Sequence, residues 1–156
     1  MLVKEGNRSV LGSKGFDLYR CVLLGVRVPE FVVVPTSAHV PGEEEKMAAC
    51  LKEEMSATLV SLGGLVSVRS SSVAEDLGNS SNAGQFKTVL NVSSLEELEK
   101  ALIAVWRSSK GTRMAVIIQR MLRPDIAGVL FTREPVRGAK SLIIEYVTGL
   151  CDALVS

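Results

Sequence analysis

The apolar residues of this chain come in short runs, each closed by a turn signal, and that punctuation most restricts what the chain can fold into. Phe31 to Val34 is rich in β-branched residues and lies between Pro29 and Pro35, while Val66 and Val68 alternate with Ser67 and Arg69. Further runs occupy 86–92, 114–121, 126–132 and 141–147. Runs of this length and composition read as strands, because branched side chains pack well on a pleated surface. None reaches the roughly 18 to 20 apolar residues that a membrane-spanning helix requires. The last three are separated by turns at Arg123-Pro124-Asp125 and around Pro135 and Gly138. Short connections favour antiparallel neighbours, so the spacing predicts a meander.

Helical periodicity fills the intervals. Ser13, between Gly12 and Gly15, predicts a helix N-cap, with Leu18, Val22 and Leu23 on the buried side and Gly25 as the stop. Glu43 to Glu45 suit the positive end of a helix dipole and read as a solvated helix start. Met47, Leu51, Met55 and Leu59 continue at helical spacing until Gly63-Gly64. Ser94 and Glu97 form a capping box before the stripe Leu95, Leu98, Leu102, Val105, which Trp106 closes. The expected class is α+β, with helices packed on a mixed or antiparallel sheet.

Composition matters here for what it excludes. A length of 156 residues suits one domain or two small lobes. A net charge of +1 supplies no field that would hold nucleic acid or an acidic membrane. Cys21, Cys50 and Cys151 are odd in number and form no CxxC pair, which points to free thiols in a reducing cytoplasm and not to zinc or a disulfide framework. The first residues lack a signal-peptide core, so the expected location is cytoplasmic.

Three segments carry more than a core needs. Gly12-Ser13-Lys14-Gly15 places small residues around a lysine at a helix start, a setting that welcomes an anion; a capped turn with an exposed lysine is the plainer alternative. Arg69 ends a strand and opens the Ser-, Asn- and Gly-rich stretch 70–84. A guanidinium there suits phosphate oxygens, or else a pairing with Glu75 or Asp76. Gln119 interrupts an apolar strand, where its carboxamide could meet an adenine edge between Met121 and Leu122, or simply face solvent. His39, in a Pro-flanked loop with no carboxylate or cysteine beside it in the sequence, reads as a surface residue. Glu145 sits within apolar IIEYV and calls for a partner or a ligand. No Ser/His/Asp arrangement or metal cluster stands out.

Taken in order, GSKGFDL, VRVPEFVVV, VSVRSSSVAEDLGNSSNAGQFKTVLNV, IIQRML, AGVLFTREP and IIEYVTGLCDALVS resemble the N-terminal ATP-binding domain of the phosphoenolpyruvate synthase and pyruvate phosphate dikinase family. Rifampin phosphotransferases and glucan water dikinases share that domain. The resemblance implies an incomplete ATP-grasp-like fold with an N-terminal lobe over 1–92 and an adenine-side lobe over 93–156. It implies that Lys14, Arg69, Gly84 and Thr88 hold the ATP phosphates, and that Gln119, Arg120, Met121 and Leu122 receive the adenine. It further implies that ATP with magnesium phosphorylates a histidine on another domain, which then serves an acceptor domain. The metal ligands and both of those domains are expected outside this sequence, so the chain alone is expected to lack turnover. The alternative is a non-catalytic nucleotide-binding or regulatory module derived from the same domain. An open sheet edge would also permit a homodimer. The sequence departs from the family pattern at Ser13, Phe16 and Cys151, and is shorter over 36–65 and 107–114.

Overall fold

A computed structural model describes residues 2–73, 87–134 and 138–150. Their contacts divide the chain into two compact units, Met1–Met121 and Leu122–Ser156. Residues 93 to 121, expected with the later lobe, thus pack with the N-terminal elements. The chain is α+β.

The first unit is built on one antiparallel sheet. Its strands are β1 (Phe31–Val34), β2 (Val66–Ser71), β3 (Thr88–Val92) and β4 (Ala115–Arg120), in the order β1-β4-β2-β3. Strand β4 pairs with β1 through Val33↔Ile117 and with β2 through Val68↔Ile118. Its residues Ala115 to Gln119 are all buried. A strand covered on both faces must be apolar almost throughout, which explains the unbroken Val-Ile-Ile run.

Pleating sorts the side chains into two layers. Val34, Val66, Val68, Val116 and Ile118 pack against α2 (Glu44–Cys50), α3 (Lys52–Ser61) and α4 (Leu95–Arg107). The single helix expected from Met47 to Leu59 is broken at Leu51, whose backbone leaves helical geometry (φ −95°, ψ 2°). In α4, Ser94 accepts the Glu97 amide as the capping box predicts, and Leu98, Leu102, Val105 and Trp106 are buried. On the opposite face Phe31, Val33, Ala115 and Ile117 pack against Leu11 of α1 (Arg8–Leu23). Leu18 joins that layer, but Val22 and Leu23 do not; they are 48% and 66% exposed.

The second unit contains one antiparallel hairpin, β5 (Ile126–Phe131) with β6 (Ile143–Thr148). The expected three-stranded meander is therefore absent: β4 pairs with β1 and β2 instead. Glu145 is exposed on β6, so its carboxylate needs no buried partner. No helix among the described residues is long and apolar enough to cross a membrane.

His39 is not a surface residue; it is fully buried and stacks on Trp106 at 5.1 Å with the rings 8° apart. Its Nδ1 accepts the Met114 amide at 3.1 Å, while Trp106 Nε1 donates to the Met114 carbonyl at 3.2 Å. Two aromatic side chains thus satisfy both backbone groups of the residue before β4. Because Nδ1 accepts, the ring proton sits on Nε2, which faces Glu44 Oε1 at 3.5 Å. Burial holds the imidazole below its ordinary 6.5, outweighing the opposing pull of Glu44. The Gly42 amide in turn lowers the pKa of Glu44.

The sign of the linkage follows. Below 6.5 the unfolded chain takes up a proton at His39 before the folded chain does, so stability falls as pH drops through that value. The urea midpoint is expected to decrease from about pH 7 to about pH 5.5, and His39→Gln is expected to flatten that slope. An unchanged slope in the variant would contradict the burial of a neutral imidazole.

Candidate functional site

The lysine turn is set by a break inside α1. Asn7 caps the helix by accepting the Val10 amide at 3.1 Å, so the cap is not Ser13. Gly12 then leaves helical geometry (φ 68°, ψ 176°). A β-carbon at Gly12 would lie 2.0 Å from the Ser71 carbonyl oxygen, so only glycine lets the helix approach β2 this closely. Ser13 gives its amide to the Ser72 carbonyl at 2.9 Å, and its hydroxyl accepts from Arg8 at 3.2 Å. Lys14, half-buried, follows this junction. Its backbone is therefore carried on the end of β2, the strand that bears Arg69.

Arg69 is half-buried in β2, and its Nη1 donates to Gln119 Oε1 at 3.1 Å. Gln119 is 5% exposed, which excludes the solvent-facing alternative. Its Nε2 donates to the Pro29 carbonyl at 3.1 Å, linking residues 90 apart. A carboxamide has two donors and two acceptor lone pairs, so one N–H and one lone pair are left after these two bonds. Thr88, which is exposed, lies opposite Arg69 in the β2–β3 pairing. Arg69, Thr88 and Gln119 thus occupy three adjacent strands.

The remaining candidates are placed differently. Gly84, Glu75 and Asp76 lie outside the described residues. Arg120 pairs with Glu30 at 2.5 Å. The Met121 amide donates to the Leu65 carbonyl at 3.0 Å. Leu122 is 53% exposed and belongs to the second unit. Val22, expected in the core, lines a hollow of about 200 Å³ with Lys4, Val28, Pro29 and Phe31. Among the described residues there is no group of three or more His, Cys, Asp or Glu side chains suited to a metal ion. Gly12, one of the small residues around Lys14, carries the junction together with Ser71, which was not singled out in the sequence. Ser71 is hidden in a serine run that reads as loop, although it belongs to β2.

These features define an α+β domain in which a lysine turn, an arginine and a buried glutamine are joined through one antiparallel sheet. Residues 37–156 match the family described as pyruvate phosphate dikinase, AMP/ATP-binding domain. The chain belongs to that family. It is 41% identical over 107 residues to a probable phosphoenolpyruvate synthase of Archaeoglobus fulgidus, covering 58% of this chain and 14% of the relative. It is 37% identical over 106 residues to a rifampicin phosphotransferase of a Streptomyces species, covering 57% and 12%. An uncharacterized phosphotransferase of Bacillus subtilis is 27% identical over 189 residues, covering 97% and 23%. That last alignment is longer than the chain itself, so the relative carries residues that this chain lacks. The chain spans less than a quarter of the length of these relatives.

Replacing Gln119 by Leu keeps the buried volume but removes both bonds, leaving the Pro29 carbonyl and the Arg69 guanidinium without them. The variant is expected to lose about 1–3 kcal/mol in urea unfolding, with a native fold by circular dichroism.

Proposed function

We propose that this chain forms part of the ATP site of a phosphotransferase, with an ATP-grasp-like arrangement, in which Lys14, Arg69, Gly84 and Thr88 hold the phosphates. On this reading Gln119, Arg120 and Met121 form the adenine side. One observation carries the proposal: three segments remote in sequence meet on the sheet, with the Lys14 turn bonded to the end of β2 and Arg69 bonded to Gln119. Membership of an AMP/ATP-binding family supports the choice of ligand.

The spacing suits an extended nucleotide. Gln119 pairs with Ser67, and the lysine turn meets β2 at Ser72. Five residues of strand separate those points, about 16 Å. Two cations along that span favour a polyphosphate, because a guanidinium offers a planar fork and an ammonium a point charge. The bond from Gln119 holds the Arg69 fork in place before ligand arrives, which reduces the ordering cost of binding.

Chemistry requires more. The full reaction we infer moves a phosphoryl group from ATP to a histidine on another domain, and from there to an acceptor domain. Magnesium would neutralise the moving charge. The described residues do not supply a grouped ligand set for it, and we assign no step through the metal to this chain. This chain's own part is to bind and orient the triphosphate. Alone it is expected to bind ATP weakly without turnover.

Calorimetry with ATP and magnesium tests this reading. Lys14→Ala and Arg69→Ala are each expected to weaken binding about tenfold to a hundredfold, the worth of one charge-assisted hydrogen bond. No measurable heat with the unaltered chain, or full affinity in both variants, would overturn it; phosphate transfer to histidine by the isolated chain would overturn the partial role.

A further inference from the structure

Within α1 the helical bond from the Gly15 amide to the Leu11 carbonyl is replaced. Ser71 Oγ sits between the two groups: it accepts the Gly15 amide at 2.9 Å and donates to the Leu11 carbonyl at 2.7 Å. In an unbroken helix those two groups would bond each other directly, four residues apart. Here the break at Gly12 opens the turn, and a hydroxyl from a neighbouring strand closes the gap. A serine hydroxyl is the smallest side-chain group that both donates and accepts. Ser71 is fully buried, so water does not replace it readily.

The hydroxyl has a directional consequence. Ser71 lies two residues beyond Arg69 on the same strand, and alternate strand residues share a face. Gly15 directly follows Lys14. One oxygen atom therefore couples the backbone beside Lys14 to the strand face that carries Arg69. The adjacent bond from the Ser13 amide to the Ser72 carbonyl, at 2.9 Å, fixes the turn on its other side.

We propose that Ser71 is a positioning residue: its hydroxyl splices the broken helix and thereby sets Lys14 against the Arg69 strand for phosphate binding, an inference that rests on the ATP reading above. Ser71 touches no phosphate in this scheme. It acts through the turn.

The test uses the full chain with Ser71→Ala, which removes the hydroxyl, and Ser71→Thr, which keeps it. Emission from Trp106, the sole tryptophan and buried in the opposite layer, checks that each variant is folded. If Ser71→Ala loses native emission, Ser71→Cys, with a weak donor and acceptor, replaces it in both measurements. The first measurement is amide hydrogen exchange at Gly15, where protection is expected to fall at least about tenfold without the hydroxyl and to return with threonine. The second is ATP affinity in a cycle with Lys14→Ala. Ser71→Ala is expected to weaken ATP about tenfold in the unaltered chain, but less than about twofold when added to Lys14→Ala.

Unchanged Gly15 protection in a folded Ser71→Ala chain overturns the splice, whatever ATP does. Retained ATP affinity, or losses that simply add to those of Lys14→Ala, overturn the positioning role and leave Ser71 a stability residue. If the unaltered chain binds no ATP, the functional reading falls and the nucleotide role with it, while the exchange result still decides the splice.

Discussion

Strand β4 has neighbours on both edges and a packed layer on both faces, and the first unit is organised around that condition. A fully buried strand must satisfy every amide and carbonyl through its neighbours. Strands β1 and β2 do so along its length, and the residue before it, Met114, is satisfied by His39 and Trp106. Helices α2, α3 and α4 cover one face and α1 covers the other. Once β4 is in place, the position of Gln119 at its end is determined, and Arg69 on the adjoining strand comes within reach of it.

The described part of the candidate site grows out of that scaffold. Arg69, Thr88 and Gln119 stand on strands, which hold direction better than loops do. Lys14 is on a helix, but a helix broken where it meets the sheet. The break costs a regular hydrogen bond and requires a positive φ at Gly12. Such irregularity persists only where the surroundings over-determine it. Here Ser71 and Ser72 supply the replacement bonds.

Much of this was legible in the residues. The strand runs at 31–34, 66–69 and 114–121 were marked by branched side chains and by Pro or Gly boundaries, and the α4 start by its capping box. Pairing partners were not legible. Short turns after 121 suggested a meander, yet the apolar continuity of β4 required two covered faces, which a hairpin alone does not supply. Burial of His39 was missed because its stacking partner lies far along the chain, and local sequence carries no sign of it. Gln119 and Arg69 stood out as polar residues in strands, but nothing in their spacing shows that they bond each other. Serine 71 was read as loop because composition cannot separate a strand-end serine from a flexible one.

The bond between Gln119 and Pro29 joins residues 90 apart, and the β1–β4 pairing has a similar reach. Closing a contact over such a span is entropically slow compared with assembling helices. On a ribosome, β1 emerges early and must wait for β4 before it gains its strand partner, while α2 and α3 are already exposed outside the exit tunnel. The segment between them therefore has an unfinished sheet to pack on until β4 arrives, and helices as short as α2 and α3 hold poorly without one. That interval is when chaperone contact would matter most for this fold.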